Sequence, residues 1–232
     1  MQKMLPAEIR SQVEQVLGGI QQPVEIVIFK TGPIVAPGKG EIGMQEEALA
    51  LVRELAELNE QIHIEERSLR TDPEAQALGL SYAPTLLFRE RGSQRTNIRF
   101  LGLPSGYEFS TLIETLIMLG TGQSDLGERS KSELNQLEGE VLMQSFVTPG
   151  CPYCPKAVLA AYRFAFHSPK VVAEGIEANE FPGLATRFHI SSVPDTIISG
   201  KRQERVLGGQ PDRVFIEAVL KASGAAVPEG IR

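Results

Sequence analysis

The stretch Phe146-Val147-Thr148-Pro149-Gly150-Cys151-Pro152-Tyr153-Cys154-Pro155 decides the fold, because it holds both cysteines of the 232-residue chain. The apolar run Val141–Val147 leads into it and is typical of a buried strand, while Lys156–Phe166 leads out of it with the apolar spacing of a helix. A C-x-x-C on a strand-to-helix turn indicates thiol–disulfide redox chemistry.

The chemistry depends on where each cysteine lies on the predicted helix, which we expect over residues 151–167. Cys151 falls at its N-terminus, where unpaired N–H groups and the helix dipole favour a thiolate, the species that attacks disulfides. Cys154 lies about one turn further on, close enough for its sulfur to close a ring with the first. We therefore predict that Cys151 attacks a substrate disulfide and that Cys154 resolves the mixed disulfide. In the reverse reaction, the same cysteine pair oxidises dithiols.

Composition argues against several other classes of protein. The net charge is −6, from 23 basic and 29 acidic residues, and no basic run occurs, so we expect no nucleic-acid partner. No apolar leader and no stretch of membrane-spanning length is present, so we expect a cytoplasmic protein without a membrane partner. Two cysteines do not make a disulfide scaffold in a chain of this length. Without a second C-x-x-C or a spaced histidine pair, we expect no metal site.

The predicted elements repeat along the chain. The order helix-strand-helix-strand-helix-strand-strand-helix occurs in residues 1–121 and again in residues 122–232. Val24–Lys30 matches Val141–Val147, and Ala83-Pro84 matches Val193-Pro194. The pattern predicts two tandem α/β domains with these boundaries.

The first half lacks the chemistry of the second. When the two halves are aligned, the two cysteines correspond to positions near Ile34 and Pro37. These lie within a Gly/Pro-rich segment, residues 31–43, that we predict to be a loop, and we predict a helix over residues 46–60 after it. Because no cysteine occurs in this half, it cannot perform thiol chemistry. We expect a scaffold, a recognition surface or a dimerisation face.

These motifs resemble those of the thioredoxin/glutaredoxin superfamily. Cys-Pro-Tyr-Cys is the glutaredoxin active-site sequence, and Ala185–Pro194 resembles the thioredoxin segment that ends in a cis-proline. Two such domains in one chain resemble the glutaredoxin-like protein disulfide oxidoreductases of thermophilic archaea and bacteria, with the N-terminal active site lost. The resemblance covers essentially the whole chain and implies an α/β fold of two thioredoxin-like domains, each a central mixed sheet flanked by helices.

The resemblance also implies roles for individual residues. Cys151 is expected to be the nucleophile and Cys154 the resolving thiol. Pro194 is expected to be cis and to aim the Val193 backbone at the active site, where an extended substrate segment pairs with it. Pro152 and Tyr153 complete the expected substrate-binding set, and Pro84 is the counterpart of Pro194 in the first half.

The chain departs from the family pattern in two places. Ser145 stands where thioredoxins carry a buried aspartate, so no base is obvious, and water or Lys156 is left for that role. Gly208-Gly209 and Asp212 are similar to the glutathione-binding glycines and aspartate of glutaredoxins. However, Thr148-Pro149-Gly150 replaces the basic residue that usually precedes the glutaredoxin motif.

We predict a thiol–disulfide oxidoreductase that acts on protein disulfides or dithiols and needs no cofactor of its own. By resemblance, its electrons come from a thioredoxin-reductase-type flavoprotein. One alternative is a dedicated relay to a peroxiredoxin, because the flavoprotein component of alkyl hydroperoxide reductase also begins with an inactive and an active thioredoxin-like half; the flavin domain would then be a separate chain.

Two further alternatives belong to other classes. One is a non-catalytic protein-binding scaffold with idle cysteines. The other is a glutathione-ligated iron–sulfur glutaredoxin, against which Pro152 and the missing basic residue argue. The sequence leaves the oligomeric state open.

Overall fold

The computed structural model describes residues 3–32 and 39–226, with residues 39–42 described by their backbone only. The chain divides into two compact units. Unit 1 comprises residues up to 104 together with 112–123, and unit 2 comprises residues 105–111 together with those from 124 onward. Residues 105–111 therefore lie before the predicted junction in sequence but pack with the second unit.

Unit 1 has a four-stranded mixed sheet of order β2-β1-β3-β4. Strand β1 is parallel to β2 and antiparallel to β3, and β3 is antiparallel to β4. The elements in chain order are α1 (Ala7–Leu17), β1 (Val24–Lys30), α2 (Lys39–Leu58), β2 (Ile62–Ser68), α3 (Pro73–Ala77), β3 (Thr85–Glu90), β4 (Ile98–Leu101) and α4 (Glu108–Thr121), whose first four residues belong to unit 2.

Unit 2 repeats this arrangement with the sheet order β6-β5-β7-β8. Strand β5 is parallel to β6 and antiparallel to β7, and β7 is antiparallel to β8. The elements are α5 (Glu128–Leu134), β5 (Val141–Val147), α6 (Cys154–His167), β6 (Val171–Glu177), α7 (Pro182–Arg187), β7 (Asp195–Ser199), β8 (Gln203–Leu207) and α8 (Asp212–Ser223). The predicted fold class is confirmed, as is the order of elements in both halves.

The central strand pairs of the two units are aligned in the same way. Phe29 at the end of β1 pairs with Thr85, and Phe146 at the end of β5 pairs with Asp195. In each unit a cis X-Pro bond comes directly before the second residue of that pair, at Ala83-Pro84 and at Val193-Pro194. The expected cis geometry is thus present in both units.

Helix α6 forms the centre of unit 2 because its sequence is apolar on almost every side. Apolar helices of this kind are stable only when neighbouring elements cover them. The structure buries the majority of its residues: Cys154, Ala157, Val158, Leu159, Ala160, Ala161, Tyr162, Phe164 and Ala165. The N-terminal residue of this buried helix is the second cysteine.

Two predictions for unit 1 are wrong. Helix α2 begins at Lys39, so the end of the predicted 31–43 loop is helical; glycines in a first turn suggested a loop but are tolerated there. The projected positions Ile34 and Pro37 lie outside the described residues. From the sequence we expect Glu54 on a solvated face of this helix, but the structure buries it, and its carboxylate accepts hydrogen bonds from the backbone N–H groups of Met4 and Leu5.

Within the described residues, no helix is both long enough and apolar enough to cross a membrane.

Candidate active site

The two cysteines form a disulfide. Cys151 and Cys154 are joined through their sulfurs, with their Cα atoms 5.5 Å apart. The predicted ring closure between cysteines three positions apart is therefore confirmed. The structure describes the oxidised form, which can accept two electrons.

The helix begins later than predicted. Residues 151–153 form a turn in which the Cys154 N–H donates to the Cys151 carbonyl over 3.3 Å, and α6 starts at Cys154. Pro155 occupies one of the first two helical positions, where its missing N–H has no helical partner to lose. Cys151 accordingly precedes the helix by one short turn. It still lies at the N-terminal end, which favours an anion.

The two cysteines differ in solvent exposure. Cys151 retains 9% of its accessible surface, whereas Cys154 retains none. Tyr153 between them is 69% exposed. The first cysteine therefore keeps a small solvent-accessible surface, whereas the second keeps none.

The predicted substrate edge, formed by Val193 and Pro194, lies at the same end of the sheet as the disulfide. Because Phe146 pairs with Asp195, the segment that follows β5 and the segment that precedes β7 meet at one edge. Pro194 is buried and Val193 is half-buried. The Gly208 N–H donates to the Pro194 carbonyl over 2.8 Å and fixes this segment from the other side.

The glycine-rich segment before α8 also borders the disulfide turn. A Cβ placed on Gly209 would lie 2.8 Å from the Tyr153 carbonyl oxygen, so only glycine permits this approach. Asp212, compared above with a glutathione ligand, accepts a hydrogen bond from Arg163 at 2.7 Å. The segment therefore packs against the turn, and its aspartate is paired within the protein.

The position of the missing thioredoxin aspartate is polar but neutral. Ser145 is fully buried, and its hydroxyl lies 2.9 Å from that of Thr196 on the paired strand. Lys156, named above as a candidate base, is exposed. Neither residue brings a buried acid to this position.

Unit 2 nevertheless contains a buried acid that the sequence analysis missed. Glu108, at the start of α4, is almost fully buried, and within the described residues neither of its carboxyl oxygens has a hydrogen-bond partner of normal geometry. Burial raises the pKa of Glu108 to about 7, and the nearby Thr111 hydroxyl opposes part of this rise. Such a carboxyl can exchange a proton near neutral pH.

Glu108 follows a residue that contacts the disulfide loop, and its charge acts on a tyrosine of α6. The preceding residue, Tyr107, donates its N–H to the Pro149 carbonyl over 3.0 Å. The charge of Glu108 also contributes to a raised pKa of Tyr162 on α6, after the larger effect of burial. A glutamate in the first turn of a helix usually complements the helix dipole in solvent, so its sequence position gave no signal of burial.

The fold and the disulfide on a strand-to-helix turn are together typical of the thioredoxin class. Residues 143–221 match the family model described as a thioredoxin domain. The chain is a two-domain protein of the thioredoxin superfamily.

Two solved structures match both units. One is a mutant of the alkylhydroperoxide reductase AhpF from Enterococcus faecalis, with 25% identity, a TM-score of 0.80, and coverage of 93% of this chain and 99% of that chain. The other is a protein disulfide oxidoreductase from Aeropyrum pernix, with 24% identity, a TM-score of 0.82, and 97% of each chain covered. At 24% identity, the likeness to the second structure shows a shared fold.

Curated relatives are longer than this chain. A protein named NADH dehydrogenase from Bacillus subtilis is 22% identical over 85% of the chain and 35% of its own length. The alkyl hydroperoxide reductase AhpF from Escherichia coli is 23% identical over 96% of the chain and 38% of its own length. The chain thus spans little more than a third of either relative.

Proposed function

We propose that the chain exchanges electrons with protein disulfides through Cys151 and Cys154. The observation that carries this proposal is the disulfide itself, in which one cysteine keeps some accessible surface and the other keeps none. A structural disulfide needs no such asymmetry. A disulfide that exchanges with a partner protein needs this asymmetry, because only one of its two sulfurs bonds to the substrate.

In the reducing direction, the Cys151 thiolate attacks a substrate disulfide. A bond forms between Cys151 and one substrate sulfur, and the other substrate sulfur leaves as a thiolate. The position of Cys151 beside the N-terminus of α6 stabilises its anion before the attack. We take Cys151 as the nucleophile in preference to Cys154 because Cys151 keeps some accessible surface and Cys154 keeps none.

The second step releases the substrate. Cys154 loses its proton and attacks the Cys151 sulfur, so that the internal disulfide forms and the reduced substrate leaves. We assign Glu108 as the proton acceptor for Cys154, because it is a buried carboxyl in the unit that holds the cysteines and its pKa lies near 7. Two electrons from a reductase then restore the dithiol.

The substrate segment binds along Val193 and Pro194. The exposed ring of Tyr153 contacts it on the other side of Cys151, and Pro152 shapes the turn between the cysteines. An extended peptide can add its backbone hydrogen bonds to a free backbone edge, with little demand on its own sequence.

A relay to a peroxiredoxin is the second candidate function. It is favoured by the relatives named as alkyl hydroperoxide reductases of the AhpF type, which match both units. In this case a thioredoxin-reductase-type flavoprotein is the electron donor and the peroxiredoxin is the acceptor. Unit 1, which has no cysteine, would serve as a docking surface.

Trapping tests the proposal and the order of the two cysteines. The Cys154→Ser variant should form stable mixed disulfides through Cys151, which non-reducing electrophoresis and mass spectrometry would identify. Cys151→Ser is the matched control and should trap far less. Trapping by Cys151→Ser alone would reverse the assignment, and failure of the wild-type protein to catalyse insulin reduction by dithiothreitol would support the scaffold alternative.

Competition distinguishes the two candidate functions. A dedicated relay should reduce a peroxiredoxin at least about a hundredfold faster than insulin, because a specific partner adds binding energy in the transition state. A general oxidoreductase should reduce both at similar rates. The measurement is the second-order rate constant for each substrate with the pre-reduced protein.

A further inference from the structure

The segment that carries the proposed substrate edge is held at both ends by one arginine. Arg205 on β8 donates from Nε to Oδ1 of Asp195 over 2.9 Å and from Nη2 to Oδ2 of the same carboxylate. Nη2 also donates to the His189 carbonyl over 3.1 Å. Asp195 follows Pro194 directly, and His189 precedes Val193 by four residues.

The carboxylate in this contact is fully buried. An isolated buried carboxylate is costly, and a forked guanidinium satisfies both of its oxygens in one plane. The third hydrogen bond goes to His189, which is the single non-glycine residue with a positive φ among the residues that the structure describes, at 53°. The arginine thus fixes the point where the chain leaves α7 and turns towards Val193.

Unit 1 provides an internal comparison. Thr85 is the register equivalent of Asp195, and Arg99 is that of Arg205. There the Thr85 hydroxyl donates to the Tyr82 carbonyl over 2.6 Å, and Arg99 Nε donates to the Thr96 carbonyl over 2.7 Å. The arginine position is common to both units, but the residue at the position of Asp195 is a threonine in unit 1.

We propose that Arg205 and Asp195 are positioning residues that hold the 189–195 segment, and with it the Val193 backbone, in the conformation that binds an extended protein substrate. This inference rests on the proposed function and extends it. Neither side chain takes part in the sulfur chemistry. The pair acts through Val193, so its contribution depends on how much of the substrate lies along that edge.

The two classes of substrate should therefore respond differently. A protein disulfide uses the Val193 edge as well as the sulfur, whereas a small aromatic disulfide reaches the sulfur alone. Loss of the contact should raise KM for the protein substrate with a smaller change in kcat, because the lost interaction is made in both the ground state and the transition state.

The experiment uses the full chain with Arg205→Lys and Asp195→Asn. Lysine keeps the charge but cannot donate to Asp195 and His189 in the forked geometry of a guanidinium. For each variant we expect the ratio of the rate constant with insulin to that with a small aromatic disulfide to fall about tenfold, a typical cost for a misplaced binding group. Arg99→Lys, at the same register position in unit 1, is the control and should leave the ratio unchanged.

The outcomes are separable. A wild-type protein that reduces neither substrate refutes the proposed function, and this inference falls with it. If the wild type is active and both folded variants keep its ratio within twofold, the inference alone is overturned. A parallel fall with both substrates, or loss of the native circular dichroism spectrum in both variants, assigns the pair a purely structural role and also overturns it.

Discussion

The backbone N–H of Tyr107 donates a hydrogen bond to the carbonyl of Pro149, two residues before Cys151. This contact joins the segment 105–111 to the disulfide loop of unit 2. The next residue, Glu108, lies in the interior.

Gly106→Ala should displace this segment. Gly106 has a φ of +60°, and an added Cβ would lie 2.2 Å from the Pro149 carbonyl oxygen. We expect a loss of more than about 2 kcal/mol in the free energy of unfolding, because overpacking adds to the backbone strain, together with slower insulin reduction. Chemical denaturation and the turnover assay measure both.

Gly92→Ala is the matched control for Gly106→Ala. It has a φ of +81° but no atom within 4 Å of the added Cβ, so it isolates the strain, at about 1 kcal/mol. Equal losses in the two variants would show that the contact with Pro149 contributes nothing.

Glu108→Gln should stabilise the protein at alkaline pH and slow the release of substrate. The folded pKa of about 7 lies above the ordinary value of 4.5, so ionisation costs stability as pH rises between these values. The neutral variant should gain about 2 kcal/mol over the wild type at pH 8 and nothing at pH 4, allowing for partial relaxation of the site. Urea unfolding at both values tests this.

The kinetic consequence of Glu108→Gln concerns the resolving step. Turnover of the wild type should rise with pH around a midpoint near 7, when the carboxylate becomes able to accept the proton of Cys154. In the variant this midpoint should disappear and mixed disulfides should accumulate. An unchanged pH profile would remove Glu108 from the proposed mechanism.

Gly209→Ala should weaken activity without a positive-φ penalty. Its added Cβ would meet the Tyr153 carbonyl at 2.8 Å and push the segment before α8 away from the turn between the cysteines. We expect at least about a tenfold lower rate of insulin reduction, in line with the effect of small misplacements at reactive sites. Gly183→Ala, where nothing lies within 4 Å, is the control; equal rates would refute the expectation.

Glu54→Gln should destabilise the protein by about 1–3 kcal/mol at pH 7, because a buried carboxylate that accepts charge-assisted bonds is lost. Desolvation alone would raise its pKa, but the N–H groups of Met4 and Leu5 and the Arg10 guanidinium together lower it. This stability is present above the ordinary pKa of 4.5 and is lost as pH falls through the folded value.

The matched control for this change is Glu57→Gln, because Glu57 pairs with the same arginine but is 55% exposed. An exposed pair of this kind contributes less than about 1 kcal/mol. Thermal unfolding of both variants at pH 7 and pH 3 decides the matter. If both lose the same stability, or if the deficit of Glu54→Gln persists at pH 3, burial is not the source of the effect.

Local patterns predicted the parts of the fold that depend on local sequence. Strand β5 was predicted to the residue because a mostly apolar run ends at a proline-containing turn. The start of α6 was misplaced by three residues, because Pro152 suits a turn as well as a first helical position.

Long-range packing determined what sequence patterns could not show. Glu54 and Glu108 both occupy positions typical of solvated helix faces, and each is buried by a segment distant in sequence. The pairing of Arg205 with Asp195 likewise depends on the register of two strands, which alternation alone does not specify. Predicting the cysteines needed only a motif, whereas predicting their supporting residues needed the fold.

The placement of residues 105–111 bears on how such a gene can recombine. Glu108 is encoded upstream of the apparent domain junction but resides in the downstream unit. After a crossover at codon 122, one parent would supply the cysteines and the other parent would supply the residue at position 108. That residue is a carboxylic acid only if the second parent encodes one. A breakpoint upstream of codon 105 would keep residues 105–111 and both cysteines from the same parent.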